Sequence, residues 1–197
     1  MIPRLENIEA EILSLQERRD AIAASSRNII RLAGRCITMM HAGNIKKAKT
    51  TLDEITSLSK KLMSEDKGLE YASQQAYQEY VEVCVLYSII TERKIPTDKE
   101  IGVDCISYLL GLLDTVGELK REVFESLRKD DIGSAEAYYS FMNEIHDSLL
   151  PLRFSSSIIP DFRKKQDVSR IQLEGVRGEL LSFRNRFLLQ GGKPDGR

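Results

Sequence analysis

The sequence predicts an all-α protein, a single-domain bundle of about six or seven helices with long amphipathic members. Three observations predict it. Apolar residues recur at three- and four-residue spacing in every segment between breakers. The five prolines and twelve glycines among 197 residues sit mostly where helices would begin or end. No two segments alternate polar and apolar residues around a hairpin turn. A chain of this length buries a substantial core without disulfide or metal staples, so one domain is expected over 1–190, with 191–197 (GGKPDGR) as a flexible tail.

The first helix follows from Leu5, Ile8, Ile12, Leu15, Ile22 and Ile29, a narrow apolar stripe with gaps at Arg19 and Ser26. It should run to about His41, where Ala42, Gly43 and Asn44 supply its stop and the next cap. A lysine-rich second helix spans Asn44 to Met63. A third carries QAYQEYVEVCVLYSII, residues 75–90, to about Glu92. After the turn ERKIP, Thr97 and Glu100 form a capping-box pattern that opens a fourth helix running to about Lys129. Asp130 to Gly133 turns the chain into a fifth, Ser134 to Leu150, stopped by Pro151. Beyond RFSSSIIP a sixth runs from about Asp161 to Gln190.

Composition excludes several function classes. Twenty-nine basic against thirty acidic residues give a formal charge of -1, so the chain is no global polycation and any anion-binding surface must be local. Cys36, Cys84 and Cys105 are odd in number, widely spaced and without a CxxC, which argues against a disulfide framework or a zinc knuckle and for a reducing compartment. No signal-like apolar run opens the chain and no window supplies the ~20 apolar residues of a membrane span. A soluble, cytoplasmic protein is expected.

The motifs HExxH, GxxxxGK[ST], GxGxxG and GxSxG are absent. Neither His41 nor His146 follows a Glu by three residues, as a di-iron bundle requires. Carboxylates remain, and they suit hard cations such as Mg²⁺ and Mn²⁺. Glu79 and Glu82 lie ~60° apart on one helix face, at the entrance of a run in which only Ser88 is polar between Val83 and Ile90. A carboxylate there is costly unless paired or metal-bound, and the local pattern is compatible with either an edge salt bridge or a metal ligand pair.

Asp114 and Glu118 share a stripe with Arg121, which surface ion pairing explains as easily as ligation. Asp147, one turn after Asn143, lies opposite the apolar side formed by Tyr138, Met142, Ile145 and Leu149. Arg27, Arg31 and Arg35 recur every four residues, a ribbon ~12 Å long that can track phosphates, with Lys46, Lys47 and Lys49 nearby. A solvated charged face is the plainer reading of that ribbon and of Arg163, Lys164 and Lys165.

Four segments in order resemble the translin family, and within it the branch of translin-associated factor X: SSRNIIRLAGRCITMMHAG (25–43), QEYVE (78–82), YLLGLLDTVGELKRE (108–122) and FMNEIHDSLLPL (141–152). The resemblance implies an all-helical subunit of a closed octameric shell that binds RNA and also single-stranded DNA. It further implies a metal-dependent endoribonuclease site facing the interior. By the same resemblance Glu79, Glu82 and Asp147 match the family's Mg²⁺ ligands, with Mn²⁺ as an alternative, and Asp114 matches a fourth acid. The chain starts almost directly at its first helix, without a basic extension, which implies a self-assembling prokaryotic-type, archaeal-like member. Arg27, Arg31 and Arg35 would then position the strand. Two rivals stand beside cleavage: a non-catalytic single-stranded RNA/DNA-binding shell, and a helical scaffold for protein partners.

Overall fold

The computed structural model describes residues 4–189. Among them are seven α-helices and no strand, as the periodicity predicts. The expected tail, 191–197, and the expected last helical residue, Gln190, lie outside the described residues. The chain divides into two compact units between Cys84 and Val85.

In the first unit, α1 (Leu5–His41) packs against α2 (Ile45–Glu65). Both present stripes at 4,3 spacing: Ser26, Ile29, Ala33, Cys36 and Met40 on one, Ala48, Leu52, Ile55, Ser59 and Leu62 on the other. Such spacing keeps one face turned to a neighbouring helix over several turns. The Cys36 thiol donates to the Ala48 carbonyl at 3.3 Å, fixing the pair in register. Asn44 is the residue before α2, but its side chain makes no capping bond.

The predicted stripe of α1 is corrected at its N-terminal end and at Ser26. Leu5, Ile8, Ile12 and Leu15 are exposed, and burial begins at Ile22. Ser26 is no gap. It is buried, and its hydroxyl donates to the Ile22 carbonyl at 2.9 Å and lies 3.2 Å from the Ala72 carbonyl, because a small polar residue is what the one-turn 3₁₀ segment Glu70–Ala72 can approach. Arg18 donates to the Glu65 carbonyl at 3.2 Å and to that of Lys67, satisfying acceptors that the end of α2 leaves open.

The segment after α2 is tied by Asp66, only 2% exposed. Its carboxylate accepts from the Ser73 hydroxyl and from Tyr77 Oη, the latter at 2.6 Å. This fixes the start of α3 (Gln74–Glu92).

In the second unit the predicted fourth helix is two. Thr97 and Glu100 do form the capping box, with Thr97 N–H donating to Glu100 at 2.7 Å, but α4 (Asp98–Ile101) ends after four residues at Gly102, whose φ of +82° is a left-handed C-cap. Asp104 then accepts from Ile106 N–H and Ser107 N–H, each at 2.9 Å, and starts α5 (Cys105–Arg128). The periodic reading missed this stop because apolar spacing runs through it. A further shift occurs at α6 (Ile132–Leu149): Asp131 caps it by accepting from Ser134 N–H at 2.9 Å, so Gly133 lies inside the first turn and not in the bend. Pro151 ends α6 as expected, and α7 (Phe162–Leu189) follows.

Helices α5, α6 and α7 pack pairwise. Met142, Ile145 and Leu149 of α6 meet a stripe on α7 of Phe162, Gln166, Ser169, Leu173 and Val176, again at 4,3 spacing. Gln166 donates to the Leu149 carbonyl at 2.7 Å, closing an acceptor at the end of α6.

Candidate metal and nucleic-acid site

α3 is an apolar helix with a polar entrance. Val81, Val83, Val85, Leu86 and Ile89 are fully buried, so most of the helix surface is closed to water over this stretch, with Cys84 and Tyr87 partly exposed on one stripe. Glu82 is buried at 8% exposure and Glu79 is half-buried. Gln75, one turn earlier, donates to Glu79 at 3.2 Å, and neither carboxylate is without a partner. The pair thus occupies the edge position that periodicity assigned to it. Tyr80, between the two acids, is buried and its hydroxyl is 3.3 Å from Thr56 Oγ1. Burial raises the Tyr80 phenol well above its ordinary range and pushes the Cys84 thiol up to about 12, so both stay protonated at neutral pH and neither is a nucleophile there.

Also in the first unit, Arg27, Arg31 and Arg35 are all exposed along one face of α1. Arg31 donates to Asn28 at 2.7 Å. Lys49 is engaged by Asp53 one turn on in α2.

The second unit holds the other two acids. Asp147 is exposed on α6, with Tyr138, Met142, Ile145 and Leu149 buried on the opposite side as predicted. Asp114, expected to pair along its own helix or to ligate, is instead ion-paired with Lys165 of α7. Among the described residues no group of three or more His, Cys, Asp and Glu side chains is arranged as a ready metal-binding cluster.

Sequence reasoning passed over a second basic feature. Arg163, Arg170, Arg177 and Arg184 recur every seven residues along α7, which places them on one stripe of the helix. The seven-residue spacing was readable, but only the packing of α6 against α7 gives it surroundings. Arg184 pairs with Glu136 of α6 at 2.7 Å, and Arg170 with Glu174 at 3.3 Å.

A family model described as the Translin family matches residues 14–177. The chain is 34% identical over 169 residues to an uncharacterized protein of Methanocaldococcus jannaschii, covering 84% of this chain and 76% of that protein. Its fold is similar to that of apo-NeC3PO, with a TM-score of 0.84 and 28% identity over 93% of this chain and 98% of the other. It is likewise similar to AfC3PO, with a TM-score of 0.85 and 25% identity over 94% and 99%. The structure of AfC3PO with duplex RNA matches with a TM-score of 0.88 at 24% identity, over 94% and 98%.

Proposed function

Because the chain belongs to the translin family, we propose that it binds RNA and cleaves it as a metal-dependent endoribonuclease, working as a self-assembled octamer in the cytoplasm. One observation carries the catalytic part: two carboxylates, the half-buried Glu79 and the buried Glu82, three residues apart where α3 passes into the run Val83–Ile90, in which only Ser88 is polar. Acids are seldom placed at such a position without a charge to meet, and a divalent cation would add to the partners that both carboxylates already have. The complex of AfC3PO with duplex RNA, on a similar fold, supports RNA as the substrate class.

By the resemblance to the family's ligands, Glu79 and Glu82 are the residues that would hold a divalent cation, and Asp147 is proposed to join them on that resemblance alone. An oxygen-only donor set suits Mg²⁺ or Mn²⁺. When bound, such a cation supplies charge neutralisation at phosphate oxygens and an acidified water. The protein's own part is to orient the strand, for which the exposed Arg27, Arg31 and Arg35 are suited by charge and spacing. Asp114 is left to Lys165.

Self-assembly is supported by the exposed apolar residues Leu5, Ile8, Ile12 and Leu15 on α1, a stripe that a second copy would cover. No helix among the described residues is long and apolar enough to cross a membrane.

The exposed arginine ribbon of α1 equally favours a second reading, a shell that binds single-stranded RNA or DNA without cutting it. Incubating labelled single-stranded RNA with the protein in Mg²⁺, in Mn²⁺ and in EDTA separates the two. Cleavage that EDTA abolishes supports the nuclease; retention of intact RNA in all three supports the binding shell. A monomeric mass in solution would remove the assembly.

A further inference from the structure

The geometry points to an oxyanion site in the groove between α6 and α7, built to hold phosphate groups. Two hollows lie along this groove, of about 110 and about 170 Å³. His146 and Arg170 line both. Arg153 and Arg163 complete one, and Arg177 contributes to the other. The acids present are Asp167 and Glu174, so four guanidiniums face two carboxylates and an excess of positive charge remains. Sites for drug-sized or cofactor-sized molecules run from ~300 Å³ upward and are mostly apolar. Hollows this small and this basic suit a tetrahedral anion, whose oxygens the planar guanidinium meets two at a time.

The donors here are available or held in place. The side chains of Arg163 and Arg177 are exposed. Arg153 is held by its bonds to the Leu150 and Leu152 carbonyls, the second at 2.8 Å. His146 is buried at 7% exposure, and its Nδ1 lies 3.0 Å from the hydroxyl of the fully buried Ser169. In the tautomer in which Ser169 donates to Nδ1, the Nε2–H is a donor for an anion in these hollows. Along α7 the seven-residue step is ~10.5 Å, so Arg163, Arg170 and Arg177 mark out a track longer than one phosphate. The site stands on the second unit alone; its assignment to an RNA backbone rests on the proposed function.

The test uses the full chain with cation chelated, so that binding is read without cleavage. Arg163→Gln/Arg177→Gln is compared with the parent and with Arg31→Gln on α1, each checked by circular dichroism. Two probes are titrated: a labelled single-stranded RNA at several salt concentrations, and inorganic phosphate followed by thermal shift. For the double variant we expect RNA affinity to fall about tenfold or more and the salt slope to become shallower by about 0.7 per lost arginine. Stabilisation by phosphate should be lost as well. Loss of the phosphate effect with unchanged RNA binding would support the site and assign it to free phosphate. A folded double variant with unchanged affinity, slope and phosphate stabilisation overturns the site, whatever Arg31→Gln does. If the parent binds no RNA at all, the proposed function fails, while the phosphate titration still decides the site.

Discussion

Asp114 of α5 and Lys165 of α7 are ion-paired across 51 residues of sequence, with side chains 30% and 24% exposed. Partial burial makes this pair stronger than a fully solvated one and makes loss of either partner costly. Asp114→Asn and Lys165→Met should each lower stability by about 1 kcal/mol, and the double substitution should cost less than their sum. Chemical denaturation of the four proteins checks this. Additive effects would mean that the contact contributes nothing and would return Asp114 to the candidate ligands.

The nuclease reading makes a separate demand on α3 and α6. Glu79→Gln, Glu82→Gln and Asp147→Asn should each reduce metal-dependent RNA cleavage by about 100-fold or more, while RNA binding in EDTA stays near that of the parent. Single-turnover assays beside binding isotherms distinguish the two effects. Cleavage at the parent's rate by all three variants would show that the site lies elsewhere.

Asp66 anchors the entry to α3 through Ser73 and Tyr77. Asp66→Ala removes the acceptor of two hydroxyl bonds in a buried segment, although the Ser73 hydroxyl keeps the Glu70 carbonyl at 3.0 Å, and should cost about 2 kcal/mol. Tyr77→Phe removes one bond only and should cost about 1 kcal/mol. A smaller loss in Asp66→Ala than in Tyr77→Phe would contradict this account of the loop.

Glu100 offers a pH test. The Thr97 backbone N–H, then Lys94 at 2.9 Å and the Thr97 hydroxyl, hold its carboxylate down to about 2 from 4.5. A carboxylate with a depressed native pKa stabilises the fold above its unfolded value, and that stability is lost as pH falls through the native one. The parent should therefore lose stability between about pH 4.5 and 2, and Glu100→Gln should show a shallower loss across the same window. Melting temperatures at closely spaced acid pH values measure it; parallel profiles would rule the linkage out.

Much of the fold was legible because a helix repeats its faces by a local rule. The 4,3 stripes of α2 and α6, the capping box at Thr97 and the stop at Pro151 all follow from neighbours a few residues apart. Local features were also misread where two rules competed: at Gly102 and Asp104 the apolar period continued through a C-cap and an N-cap, and the caps prevailed. The exposure of Leu5 to Leu15 was not legible, since a stripe states which residues share a face and not whether anything lies against it.

By itself the sequence determined an all-helical chain, the placement of Glu79 and Glu82 at the edge of an apolar helix, and the arginine ribbon on α1, because each depends on the ~100° advance per residue. The tertiary structure alone decided that Asp114 meets Lys165, that His146 rests on Ser169 between two basic hollows, and that Ser26 is core. Those are contacts between elements, set by which faces pack and how the loops return the chain, and no spacing within one helix encodes them.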